Sequence, residues 1–152
     1  MREKPETKGR NQIHQIYVNA SADRAWDAIT QDEHMGDFFP GRLRADEWKV
    51  GSRYRVQSDE GTLFEGTILE LEKPRRFSYT FENRWEDEAK NERPSRVTFE
   101  LTPMGDACRI VVIHDDFDEV SQTFEGVERG WPSILSHMKS YLETGRTTST
   151  PA

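Results

Sequence analysis

The stretch FEGVERGWPSILSHMKSYLETG, residues 124–145, decides how the rest of the chain is read. Phe124, Val127, Trp131, Ile134, Leu135, Met138, Tyr141 and Leu142 recur at steps of three and four. On a helix they form one wide apolar stripe. Gly145 stands where such a helix ends. Pro132 predicts a kink, or the first turn of the helix's main part, because proline has no backbone N–H to donate. A stripe of this width has to be buried against another layer, and the preceding residues read as that layer.

Working outward, Arg53-Tyr54-Arg55-Val56-Gln57 alternates polar with apolar, the period of a half-buried strand. Further strands are expected over Ile13–Val18, Leu43–Trp48, Leu63–Leu71, Phe77–Phe81, Val97–Leu101 and Ala107–His114, separated by turn residues such as Asp59-Glu60-Gly61, Lys73-Pro74 and Met104-Gly105-Asp106. Between the first two strands Ser21 is a good N-cap. Asp23 follows in the first turn, with Ala22, Ala25, Trp26 and Ile29 at helical spacing, which predicts a short helix at about 21–31. A second helical turn is expected from Asp32 to Gly36, ahead of the breaker Phe38-Phe39-Pro40-Gly41. The fold class is α+β: a curved antiparallel sheet whose inner face is covered by the long C-terminal helix. One domain over 12–145 is expected, with polar tails at 1–11 and 146–152 that have nothing to pack and are expected to be disordered.

The whole chain has 152 residues, the length of one ordinary domain. Leu, Ile, Val and Phe make only 30 of them, against 32% charged, a balance near the disordered range. Sixteen aromatics in periodic segments argue instead for a folded domain with a thin core of large side chains. The formal charge is −7, which disfavours binding to phosphate backbones and so to nucleic acid. Cys108 is the single cysteine, leaving no internal disulfide and no all-cysteine metal site. Met1–Asn11 lacks the apolar stretch of a signal peptide, and no run approaches the ~20 apolar residues of a membrane helix. The expected location is therefore the cytoplasm, without membrane insertion.

Three passages together resemble the helix-grip fold of the START-like (SRPBCC) superfamily. They are Val18 to Thr30, the strand-to-helix opening; Gly66 to Thr80, in which a glycine-bearing apolar strand passes through Lys73-Pro74 to Phe77-Ser78-Tyr79; and Gly130-Trp131-Pro132-Ser133-Ile134-Leu135 with the ending Tyr141-Leu142-Glu143-Thr144-Gly145. Within that superfamily the order is similar to the branch of the C-terminal domain of the activator of heat-shock-protein-90 ATPase. The resemblance covers about residues 12–145. It implies a space between sheet and long helix, a chaperone as one class of partner, and a place in stress response.

Apolar pockets are the default ligand sites, so the resemblance turns the aromatic residues into candidates for contact with a hydrophobic or amphipathic small molecule. Phe64, Tyr79, Phe99, Trp131 and Leu135 are expected to face the space, with Phe38 and Phe39 near one mouth and Tyr54 and His114 as polar anchors. Plain core packing is the alternative for each. His114 has a side chain suited to proton transfer, yet no nucleophile or base partner is visible, so no catalytic residue is assigned. Other readings stay open: a chaperone-interacting module, a homodimer through the outer sheet face at Val111 and Ile113, or a cyclase- or hydrolase-like enzyme on an aromatic substrate.

No cofactor is expected, and no metal. There is no phosphate-binding glycine loop and no paired Cys-x-x-Cys. His14, His34 and His137 are far apart, and the cluster Asp115, Asp116, Asp118 and Glu119 lacks the glycine and terminal glutamate of a calcium loop. It reads as a solvated turn, and Arg42, Arg44, Arg53 and Arg55 as a soluble strand face. The charged loop Asn83–Pro94 carries an isolated Trp85. It is either a lid over the pocket or a disordered tip whose tryptophan rests on the sheet, the second being preferred.

Overall fold

Alternation of large apolar and charged residues builds the sheet that the sequence predicts. The computed structural model describes residues 9–30 and 42–146. In chain order the elements are β1 (Gln12–Val18), α1 (Ala22–Thr30), β2 (Arg42–Ala45), β3 (Arg53–Ser58), β4 (Gly61–Glu72), β5 (Arg76–Asn83), a 3-10 turn (Asp87–Ala89), β6 (Ser95–Met104), β7 (Ala107–Asp115) and α2 (Gln122–Thr144). The seven strands form one antiparallel sheet in the order β1-β7-β6-β5-β4-β3-β2. β2 to β7 are thus a simple meander, and β1 crosses to pair with the last strand, Ile16 opposite Ile110. Together with α1 and α2 this is the expected α+β helix-grip architecture. The helical turn expected at Asp32–Gly36, and Phe38 and Phe39 after it, lie outside the described residues.

Both helices begin as capping chemistry dictates. The Ser21 hydroxyl accepts from the Arg24 N–H at 3.2 Å, and that of Ser121 accepts from the Phe124 N–H at 3.1 Å. Gly145, at φ 80°, closes α2 with its N–H on the Tyr141 carbonyl. α2 continues through Pro132 as one element from Gln122 to Thr144, so Pro132 lies inside the helix and not in its first turn. Burial of the stripe outweighs the missing N–H: Phe124, Val127, Trp131, Leu135, Met138 and Leu142 are all buried on the sheet side. The strand expected at Leu43–Trp48 stops at Ala45, because Ser52 turns the chain back. Its hydroxyl accepts from Glu47 N–H, while its N–H reaches the Lys49 carbonyl.

The core is the inner sheet face meeting α2 and α1, with Ile68, Val97, Ile110, Val112 and Met138 fully enclosed. On the outer face Val111 and Ile113 are half-buried beside the exposed Ile13. Ion pairs cover much of the rest. Arg53 and Arg84 share Glu82 and Glu65, Arg76 bridges Glu70 and Glu100, and Arg96 meets Asp115.

β4 is irregular at three points along its length, one of them a register shift against β5 between Ile68 and Glu70. Gly66 lies so near β5 that a Cβ would stand 2.0 Å from the Thr80 carbonyl oxygen. Between Val56–Phe64 and Gln57–Thr62 the register shifts, leaving Leu63 as the extra residue of a bulge.

Candidate functional site

The side chains of β4, β5 and α2 do not fill the space beside the N-terminal half of α2. A cavity of about 340 Å³ remains there, open to solvent on one side. Its sheet wall is Leu63, Phe64 and Phe81, and its helix wall is Gly126, Val127, Gly130, Trp131 and Ile134, with Trp85 at the rim. Leu63 and Phe64 are consecutive, and a regular strand would send them to opposite faces. The bulge at Leu63 lets both reach the same cavity.

Gly126, Gly130 and Ile134 repeat every fourth residue and so share one flank of α2. A Cβ on Gly126 would make ordinary contact, 3.5 Å from both Trp85 Cζ2 and Glu86 Oε1. At Gly130 it would meet nothing within 4 Å. Glycine inside a helix costs about 1 kcal/mol relative to alanine. Neither position is required by crowding, so the helix gives up stability where it lines the cavity.

Trp85 is 41% exposed, and its ring meets Phe81 edge-on at 5.8 Å. The loop bearing it is tied down at both ends, in place of the disordered tip expected from its charge. Buried Asn83 accepts from the Trp85 and Glu86 N–H groups and donates to Thr123 Oγ1 on α2. Glu92 accepts from Ser121 Oγ at 2.7 Å and Gln122 N–H at 2.9 Å, a carboxylate at the positive end of the helix dipole. Arg93 donates to the carbonyl of Phe117 and pairs with Asp116. The acidic turn after β7 is thereby occupied with holding this loop, and among the described residues no group of His, Cys, Asp and Glu is arranged to hold a metal ion.

Behind the cavity lies a continuous set of rings. Phe64 stacks on Phe81 at 4.3 Å; Tyr54 meets Phe64 and Tyr79; Phe99 bridges Tyr79 and Trp131. Of the residues expected at the site, Phe64 and Trp131 line the cavity. Tyr54, Tyr79, Phe99, Leu135 and His114 are buried in the layer that supports it. The Tyr54 hydroxyl is engaged, donating to the Thr80 carbonyl at 2.6 Å. Burial pushes the Tyr54 and Tyr79 hydroxyls up, so neither ionises near neutral pH.

His114 is enclosed between Phe117, Phe81 and Trp131. The Trp131 indole N–H donates to its Nδ1 at 3.1 Å, and its Nε2 lies 2.8 Å from Ser95 Oγ. An indole nitrogen only donates, so Nδ1 accepts and the proton sits on Nε2, donating to Ser95. Ser95 in turn donates to the Phe81 carbonyl. Burial, with a smaller effect of His14, lowers the His114 pKa to about 3. The ring is a neutral strut that fixes Trp131.

A family model described as Activator of Hsp90 ATPase homolog 1-like protein matches residues 19–143. The chain belongs to this family. No curated protein matches the sequence. Solved structures share the fold of this Activator of Hsp90 ATPase homolog 1-like chain at low identity. The Aha1 dimer from Colwellia psychrerythraea is 17% identical at a TM-score of 0.70, over 89% of this chain and 97% of that one. An HSP90 activator from Plasmodium falciparum is 16% identical at 0.71, over 88% and 96%. A protein of the dynemicin biosynthetic locus is 21% identical at 0.76, over 94% of this chain and 49% of that one. No helix among the described residues is long and apolar enough to cross a membrane.

Reading the sequence for aromatics finds Phe64 and Trp131 but passes over Leu63, Phe81, Gly126, Val127, Gly130 and Ile134. A signal for the helix wall is present: two glycines four apart on an otherwise sound helix, one turn before an isoleucine.

Proposed function

We propose that this protein is a small cytoplasmic receptor that binds a hydrophobic or amphipathic small molecule between β4–β5 and α2. The observation that carries this reading is the open apolar cavity beside two helix glycines that packing does not require. Phe64, Phe81 and Trp131 give it an aromatic floor, and Tyr79, Phe99, Leu135, Tyr54 and His114 hold that floor in shape. Burying apolar ligand surface supplies roughly 25 cal/mol per Å², from which ordering costs are subtracted. Native mass spectrometry of the purified full chain, with a thermal-shift screen of lipids and metabolites, tests it. A co-purifying mass, or stabilisation by an apolar compound, is expected. A flat screen and a bare protein mass overturn the reading.

A second reading, favoured by membership of the Activator of Hsp90 ATPase homolog 1-like family, is a partner of an Hsp90-type chaperone in stress response. Ile13, 63% exposed and paired with Ile113 on the outer face, offers apolar surface for such a contact or for a homodimer. Addition of the protein to the chaperone is expected to change its ATPase rate on this reading. An unchanged rate together with no complex on a sizing column removes it.

A further inference from the structure

We infer that the cavity selects a planar, uncharged aromatic of about two fused rings, held against the Gly126–Gly130 face of α2 beside Trp85; this rests on the cavity being a binding site at all. Size comes first. At about 340 Å³ the cavity lies at the small end of ligand pockets, roughly 300–1,000 Å³. That suits a compact ring compound better than a long acyl chain, which would trail out of the mouth.

Shape and charge are set by the walls. Phe64 and Phe81 stack, with their planes 25° apart, and Trp85 and Trp131 complete a set of four rings around the space. The opposite wall lacks side chains at Gly126 and Gly130, which leaves a smooth face for a flat ring. Aromatic pairs gain affinity beyond their buried area, and a rigid ring has no chain torsions to freeze. No cationic side chain lines the cavity, while Glu86 stands at its rim by Gly126. A carboxylate ligand would meet that charge without compensation. The Trp131 indole N–H is engaged by His114, whereas that of Trp85 makes no hydrogen bond among the described residues. It is the side-chain donor left for one acceptor on the ligand.

The test uses the full chain and isothermal titration with three probes: 2-naphthol, 1-decanol matched to it in heavy atoms, and 2-naphthoate. 2-Naphthol is expected to bind about tenfold tighter than 1-decanol, from ring contacts and avoided chain ordering. 2-Naphthoate is expected to bind about tenfold or more weaker than 2-naphthol. Gly130→Leu, which fills the space, should abolish 2-naphthol binding while the melting curve stays cooperative. Trp85→Ala, at an exposed position, should weaken it several-fold. Equal or tighter binding of 1-decanol overturns the ligand class and leaves the receptor reading intact. Tighter binding of 2-naphthoate than of 2-naphthol overturns the exclusion of anions. Full 2-naphthol affinity in both variants overturns the location. Binding of none of the three probes counts against both.

Discussion

His114 shows how a residue chosen for its chemistry becomes structural through its surroundings. Protonating Nδ1 would set a donor against the Trp131 N–H and bury a charge among three rings. In the unfolded chain the ring titrates near 6.5. Above that value both states are neutral and His114 adds no pH dependence. Between 6.5 and the folded value of about 3, the unfolded state binds the proton and the native state does not, so stability falls as pH falls. From pH 7.5 to pH 5 this amounts to about 2 kcal/mol. Urea unfolding of wild type and His114→Gln at both pH values should show that loss in wild type and a smaller one in the variant. Equal slopes would mean that the ring is protonated inside the fold. The variant should also be less stable at pH 7.5, since Trp131 and Ser95 lose fitted partners, by about 1–3 kcal/mol.

Among the elements, β4 and α2 each carry glycines whose substitution should have opposite signs. Gly66 faces the Thr80 carbonyl at a distance that no Cβ tolerates, and the obstacle is backbone. Gly66→Ala must push β4 off β5, taking with it the bonds Tyr54 and Thr67 make to Thr80. A loss of about 3 kcal/mol or more is expected. Gly130→Ala meets open space on a helix flank and should stabilise the apo protein by about 0.5–1 kcal/mol. Paired denaturant titrations check both signs. A Gly130→Ala protein less stable than wild type would show that this flank is filled by something other than solvent. The difference is partly legible in sequence. Gly66 stands in the strand passage that carries the family resemblance, while Gly130 reads only as a blemish in a good helix until the cavity beside it is seen.

For the molecule as a whole, the periodic segments carry most of what is legible in the chain: seven strands, the capped helices and the burial of the α2 stripe. Alternation specifies which side chains point inward, and that suffices for the sheet and its cover. It does not specify where the inward side chains fail to meet. The bulge at Leu63 depends on pairing with β3, and the position of Trp85 depends on the hydrogen bond Asn83 donates to Thr123, 40 residues on, and those Glu92 accepts from Ser121 and Gln122, 29 and 30 residues on. Strand face alone assigns Phe99 and Tyr79 to the cavity, yet they lie where the rings close. The loop-to-helix tie therefore bears on the cavity rim beside the lining rings themselves. Removing it through Glu92→Ala deprives the α2 N-terminus of a carboxylate and Ser121 of an acceptor, a loss of about 1–2 kcal/mol. The sheet and the rest of α2 do not depend on that carboxylate, so unfolding should remain a single transition. The Trp85 end of the loop keeps its anchor at Asn83, whereas the Glu92 end loses two bonds. Limited proteolysis of Glu92→Ala should consequently cut within 84–94 faster than the same treatment of wild type does, with tryptophan emission shifted to the red. Wild-type protein should resist cleavage there. Unchanged emission and unchanged cleavage would show that the rim is held by the ring contact with Phe81 and the Asn83 turn alone, and that the cap at Ser121 is a local matter of the helix.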